Sequence, residues 1–384
     1  MKVHDSEEFG GVPKLVNSLR RVWPEYDLGP DAGKALTRGL QKLRDDHESG
    51  ARQLAGMAIS TLKEVVSKMD SSTVGEKWWA NIRMAAWHLC KNGRESMGAG
   101  ITSSLIAVLD RIESIFAKDI TSAEKIQQIH RAFDEQTAQR QASTSHIRDN
   151  FVKYLQETLP HTISSKGSIS ILSMSSSSTI SSSLLEAAAA LDVTLDLRIL
   201  ESRPKCEGAS LAAKLLEAAD EKTKLAITLY TDSSAAFAAD GVDIVLLGAD
   251  RISAEGDVSN KTGSLPTILS ARHVAPDVKI VILSETEKIA GPGSASEHVV
   301  EDNDPLEVTA AWDAAGVQGQ AAIESSLRSG SGTKRVTVKN IYFEWVPARL
   351  IDAYVTEQGL WSSEDIARRS QWIGKEMDRF FKDL

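Results

Sequence analysis

The chain is 384 residues long, 42% hydrophobic and 25% charged, with a formal net charge of -9. Such a length exceeds one ordinary domain and can bury a large apolar core. The acidic balance excludes a dedicated nucleic-acid binder, which carries a basic surplus, but leaves room for a local basic pocket that takes a small phosphorylated ligand.

Cys90 and Cys206, the two cysteines, form neither a disulfide framework nor a zinc spacing, and the eight histidines show no metal pattern. No Gly-x-Gly-x-x-Gly or Walker-type Gly-Lys-Thr loop occurs, so no cofactor and no metal are expected. Met1 to Gly11 is polar and acidic, unlike a signal or transit peptide. No apolar run reaches the ~18 residues that span a bilayer. A cytoplasmic protein without a membrane partner is expected.

Up to Pro160 the sequence reads as successive helices, with apolar residues recurring at three and four over Val12–Val22, Ala32–Glu48, Ala51–Met69, Trp78–Cys90 and Ile101–Ala117. Two more are expected over Ser122–Arg140 and Ser145–Leu155. Beyond Pro160, β-rich runs at Ser168–Ser173, Val193–Leu200, Lys224–Tyr230, Val242–Leu247, Val278–Leu283 and Arg335–Tyr342 alternate with helical stretches at Ser183–Leu191, Ala209–Ala219, Ser233–Ala239 and Ser264–Arg272. That alternation predicts parallel βαβ units in a doubly wound sheet. Helices over Ala348–Glu357 and Ser363–Leu384 are expected to close the chain. The predicted organisation is a helical N-terminal domain over residues 1–160 and a Rossmann-like α/β domain over 161–384, with Ala290–Asp304 as a surface loop.

Ligands of an open parallel sheet bind beyond the carboxyl ends of its strands, which singles out four loops. Ser173 to Thr179 is a hydroxyl-rich turn, with Ser183 and Glu186 in capping-box form. It reads either as a phosphate cradle contributed by Ser175, Ser176 and Ser177 or as a capped loop without ligand. Glu201 to Gly208 carries Arg203, either a bidentate partner for phosphate or a surface arginine in a turn. Thr231 to Ser234 supplies hydroxyls or caps the next helix. Gly248 to Gly263 is the most informative. Asp250 ends a buried strand, where a carboxylate is costly unless it acts or is paired, and Asn260 and Lys261 precede a helix start.

Leu247-Gly248-Ala249-Asp250-Arg251, Gly256-Asp257 and Asn260-Lys261-Thr262-Gly263 resemble the signature of one superfamily. It comprises the regulatory subunits of translation initiation factor 2B and the isomerases of methylthioribose 1-phosphate and ribose 1,5-bisphosphate. Glu201-Ser202-Arg203-Pro204, Asn340 to Pro347 and Leu350 to Gly359 resemble further family segments in the same order. The resemblance implies a Rossmann-like domain of the NagB/RpiA/CoA-transferase type. It also implies a homodimer, or a heteromer with related initiation factor 2B subunits, and a phosphorylated small-molecule ligand. The family's isomerases pair a cysteine after the first strand with the aspartate of the Gly-Ala-Asp loop, one as acid and one as base. The aspartate matches Asp250, but the cysteine position falls at Ser175. Family arginines of the helical half correspond to the regions of Arg52 and Arg94, displaced or without their usual neighbours. Since a serine hydroxyl is far less acidic than a thiol, a regulatory subunit is the expected function, with an aldose-to-ketose isomerase as the alternative.

Overall fold

The computed structural model describes residues 28–47, 49–93, 98–174, 176–221, 223–293, 301–328 and 336–383. The helix expected over Val12–Val22 lies outside them. Four helices follow the predicted order closely: α1 (Pro30–Asp45), α2 (Ala51–Lys68), α3 (Glu76–Lys91) and α4 (Gly98–Phe116). Their apolar stripes face inward. Leu54, Ala58, Leu62, Val65 and Val66 of α2 are all buried, as the three-four spacing requires.

The next helix corrects the sequence reading. Instead of two helices, α5 runs unbroken over Ser122–Thr158, opened by a capping box between Thr121 and Glu124. The gap expected between Arg140 and Ser145 does not form, and the hydroxyls there bond within the helix. Ser143 Oγ donates to the Gln139 carbonyl at 3.1 Å and Ser145 Oγ to that of Ala142 at 2.8 Å. A short α6 (Pro160–Lys166) leads into the sheet.

Seven strands form the main sheet in the order β10-β9-β7-β4-β1-β2-β3. They are β1 (Ser168–Met174), β2 (Thr194–Leu200), β3 (Leu225–Tyr230), β4 (Ile244–Gly248), β7 (Lys279–Leu283), β9 (Ala353–Thr356) and β10 (Gly359–Trp361). All pairings are parallel except that of β9 with β10. Successive residues serve opposite faces. Ile171 and Leu246 join a cluster with Ile147 and Phe151 of α5, whereas Leu172 and Leu247 join the cluster shared with the helical half. Helices α7 (Ser178–Ala190) and α8 (Glu207–Ala218) follow β1 and β2; the short α9 (Ala235–Ala238) and α10 (Ser264–Val274) flank β4. A second, antiparallel sheet joins β5 (Arg251–Ile252), β6 (Val258–Lys261) and β8 (Phe343–Val346).

Three further expectations are overturned. The helix predicted over Ala348–Glu357 is a single 3-10 turn followed by β9 and its hairpin partner β10. Its four residues Ala353 to Thr356 are all buried, and Asp352 fixes the strand beside β7 by accepting from Ile280 N at 2.7 Å. Of the strand predicted over Arg335–Tyr342, Arg335 lies outside the described residues and 336–342 forms no strand; the strand follows directly, at Phe343–Val346. Helix α7 begins at Ser178 rather than Ser183, because Ser177 caps it by accepting from Ile180 N, leaving Ser183 buried inside. Helices α11 (Leu306–Ala314) and α12 (Gln320–Arg328) precede the second sheet's last strand.

The terminal helix α13 (Ser363–Phe381) returns to the helical half. Arg379 bridges to Asp110 and Glu113 of α4, each at 2.6 Å, and Pro292 packs on Gly374. Of the predicted surface loop, 290–293 is thus pinned to α13, and 294–300 lies outside the described residues. Among the described residues no helix is long and apolar enough to cross a membrane.

Candidate functional site

The loops beyond β1, β2, β4 and β7 meet at one end of the sheet, and two glycines set how closely. A Cβ on Gly208 would lie 1.8 Å from the Leu200 carbonyl oxygen, so only glycine lets α8 start against the end of β2. Gly263, at φ +106°, caps α10 with its Cα turned against Met174; a Cβ there would sit 2.9 Å from the Met174 Cε. Met174 closes β1 next to the serine loop, so the loops after β1 and β6 are held in contact.

Around Gly248, at the end of β4, the predicted residues gather. A Cβ at this glycine would be 3.9 Å from Ser177 Oγ and 4.0 Å from Asn260 Oδ1, which places both side chains over the strand end. Asn260 is buried and donates from Nδ2 to Ser264 Oγ at 2.9 Å. Asp250 is half-buried, its backbone N–H bonded to the Ser259 carbonyl at 2.9 Å. Ser176 accepts from Lys214 Nζ at 2.8 Å. Ser175 and Arg94 lie outside the described residues.

Arg203 and Lys261 line one cavity of about 480 Å³, together with His47, Lys205, Glu207 and Tyr342. Lys261 sits 3.5 Å from Glu207 and 4.4 Å from the centre of the Phe343 ring. Lys205 lies over Tyr342 and 3.9 Å from Glu307. The Arg203 loop is fixed from the fourth predicted loop. Asp232 accepts from Ser202 N at 2.8 Å and Arg203 N at 2.7 Å, leaving the Arg203 side chain exposed at the cavity wall. The start of α10 is not an anion cradle: Glu344 already accepts from Gly263 N and Leu265 N, at 2.7 and 3.0 Å. Arg251 turns away from this cavity to line another, of about 800 Å³, beside α13.

Arg52 is engaged in a different way from a ligand-facing arginine. Its guanidinium donates to Thr144 Oγ1, to the Arg140 carbonyl at 2.6 Å and to Glu285 at 3.3 Å. Glu285 belongs to a polar floor that the sequence reading missed. It lies 3.0 Å from Lys288 Nζ and accepts from Thr179 Oγ1 at 3.2 Å. Arg140 binds Glu287 at 2.8 Å, Ser104 donates to the same carboxylate at 2.9 Å, and Glu357 accepts from Thr286 N at 3.0 Å. Burial alone would raise the Glu285 carboxyl, but Lys288 and Arg52 hold it at about 2. Burial works to lower the Lys288 ammonium, yet Glu285 and Asp250 raise it above the usual lysine value. Glu357 is raised by its burial. The signal for this floor was available: Ser284 to Lys288 follows β7 at the sheet's carboxyl end, where the same topological rule applies. Among the described residues no cluster of three His, Cys, Asp or Glu could hold a metal ion.

The profile of the Initiation factor 2 subunit family matches residues 47–363, most of the chain. The chain belongs to this family. Among its relatives, the methylthioribose-1-phosphate isomerase of Pseudomonas savastanoi pv. phaseolicola (strain 1448A / Race 6) is 34% identical over 178 residues, 46% of this chain and 44% of that protein. The match thus spans less than half the length of the curated relative. In fold, the family member superposes on one chain of the tetrameric eIF2B-beta2-delta2 complex from C. thermophilum with TM-score 0.59 and 14% identity, covering 92% of this chain and 96% of that one. The 5-methylthioribose 1-phosphate isomerase from Pyrococcus horikoshii OT3 gives TM-score 0.58 and 18% identity, covering 88% and 87%. At these identities the solved structures bear on the fold alone.

Proposed function

We propose that this family member binds a phosphorylated aldose in the crevice beyond β1, β2 and β4 and interconverts it with the corresponding ketose. The observation that carries this reading is that Arg203 and Lys261, from two different loops, line one cavity, while Ser177 and Asn260 lie over the neighbouring end of β4, two residues before Asp250. The isomerase relative's 34% identity supports it over the regulatory reading expected from sequence, because likeness to the initiation-factor structures extends only to fold. Arg203 and Lys261 supply the positive charge that holds a phosphate, and Lys205 adds to the field at the cavity mouth.

Conversion of an aldose 1-phosphate to its ketose moves one hydrogen from C2 to C1 and breaks the bond between C1 and the ring oxygen, while the C2 hydroxyl becomes the ketone carbonyl and its proton ends on the former ring oxygen. No net oxidant is consumed. In this reading Asp250 takes the C2 hydrogen as a proton and returns one to C1, and Asn260 orients the adjacent hydroxyl. Ser177 supplies a hydroxyl over the end of β4 beside Asn260. Purified protein with methylthioribose 1-phosphate or ribose 1,5-bisphosphate, followed by NMR, tests the proposal. Ketose should accumulate, and Asp250→Asn should slow it by ~10²–10⁴-fold with binding retained. Binding without turnover in the wild type would remove the isomerase reading.

One observation favours a second reading. Serine stands at position 175, so the thiol of the family's isomerases is missing. A regulatory subunit that keeps the pocket as a sensor and assembles with related initiation factor 2B subunits, as a homodimer or heteromer in the cytoplasm, would fit that replacement. Stable co-purification of those subunits with the tagged chain is its test.

A further inference from the structure

The segment after β7 contributes to no loop that the family signature singles out, yet it lies directly against the Asp250 loop. Ile289 forms a parallel bridge with Ile252, and Ala290 N donates to the Ile252 carbonyl at 2.8 Å. This pairing carries Lys288 alongside the stretch that begins at Asp250. The Lys288 side chain is only 12% exposed, and its ammonium is fixed 3.0 Å from a Glu285 carboxylate that is itself 5% exposed. Glu285 in turn is tied to both halves of the molecule. It is bonded to Thr179, the second residue of α7, and to Arg52 at the start of α2. One buried ion pair therefore touches the base of the serine loop, the Asp250 loop and the first turn of a helix from the other half.

We propose that Lys288, anchored by Glu285, is the positioning residue of Asp250, and that through Arg52 it ties the placement of this carboxylate to the docking of the helical half. The proposal rests on the reading of Asp250 as the proton-handling group. An ammonium held on a rigid element beside a catalytic carboxylate fixes its orientation without contacting substrate. Lys288 is charged in the fold, since Glu285 and Asp250 both favour its protonated form against burial. The other charges of the floor, Glu287, Arg140, Glu357 and Arg369, are engaged with one another or with neighbouring hydroxyls and rings.

The experiment has two arms. A buried, hydrogen-bonded lysine ammonium exchanges its protons slowly, so a ¹⁵N-lysine NMR spectrum of the full chain near neutral pH should show the Lys288 Nζ signal, identified by its loss in Lys288→Arg. That signal should shift or vanish in Asp250→Asn and stay in place in Asp277→Asn, a change at an exposed turn. An unmoved signal in Asp250→Asn would overturn the coupling whether or not the protein turns over any sugar. In the second arm, Lys288→Met should lower kcat for the aldose phosphate by ~100-fold with KM within about twofold, and Lys288→Arg should restore much of it. Loss expressed in KM alone, or no loss in a folded Lys288→Met protein, would also overturn the assignment. Should Lys288→Met not fold, Glu285→Gln/Lys288→Met removes both charges together and serves the same comparison. A wild type without turnover would defeat the isomerase reading and leave the NMR arm to decide the coupling.

Discussion

Two ion pairs stand at the same end of the sheet and have opposite physical characters. At the floor, Lys288 and Glu285 are 12% and 5% exposed and lie between the two halves of the chain. At the cavity wall, Lys261 and Glu207 are 25% and 27% exposed and their charges meet solvent. In the interior, each partner's charge is tolerated only because the other is there. At the wall, water screens the pair and either member is free to exchange its partner for a ligand. On the proposed function, the floor carries stability and the wall carries recognition.

Removing one member of the floor pair is the largest test of this division. Glu285→Ala leaves Lys288 buried beside Arg52 without the carboxylate that offsets both, and should cost ~3–5 kcal/mol in denaturant unfolding. A loss under about 1 kcal/mol would mean that water reaches the floor and that the two sites do not differ in kind.

The same pair sets an acid window. Glu285 is held at about 2 in the fold against an ordinary value of 4.5. A depressed carboxyl stabilises the fold above its unfolded value and loses that contribution as pH falls. Unfolding free energy should thus decline between about pH 4.5 and pH 2, and Glu285→Gln should flatten that limb. Glu357, raised by burial, acts in the opposite sense: its contribution is present in acid and lost as pH rises through its folded value. Wild type and Glu285→Gln compared by thermal unfolding at closely spaced pH values separate the two.

How much of this could be read from the chain depends on sequence distance. The strand at Ile244–Gly248 is nearly all apolar, so both its burial and the position of the loop behind it, which carries Asp250, Asn260 and Lys261, were legible. The same rule placed Arg203 beyond the end of β2. The Ser284 to Lys288 loop was open to the same rule, but its pairing was not, because Glu285 and Arg52 are 233 positions apart and neither local pattern reveals that one neutralises the other. Local signals also misled where long-range packing won. Ala353 to Thr356 fits a helical spacing but gains more by inserting beside β7, and the stretch between Arg140 and Ser145 stays helical, with Ser143 and Ser145 hydroxyls bonded to carbonyls one turn back.

The smallest expected effect on stability is at the wall, and it is the one that most sharpens the comparison. Lys261→Ala removes a partly exposed ion pair and a contact with the Phe343 ring, which together should cost less than about 1 kcal/mol. Its effect on ligand should be far larger in proportion. A charged hydrogen bond to phosphate is worth ~1.5–3 kcal/mol, so calorimetric titration should show ~10–100-fold weaker binding of an aldose phosphate. Glu207→Ala should move the other way, because the carboxylate competes with phosphate for the same ammonium. Removing it should strengthen binding several-fold while leaving unfolding nearly unchanged. If Lys261→Ala instead destabilised the fold as severely as Glu285→Ala, the wall would be structural and the cavity would lose its anion-holding role. Opposite signs for Lys261→Ala and Glu207→Ala in binding, with little change in stability for either, would assign the wall to recognition.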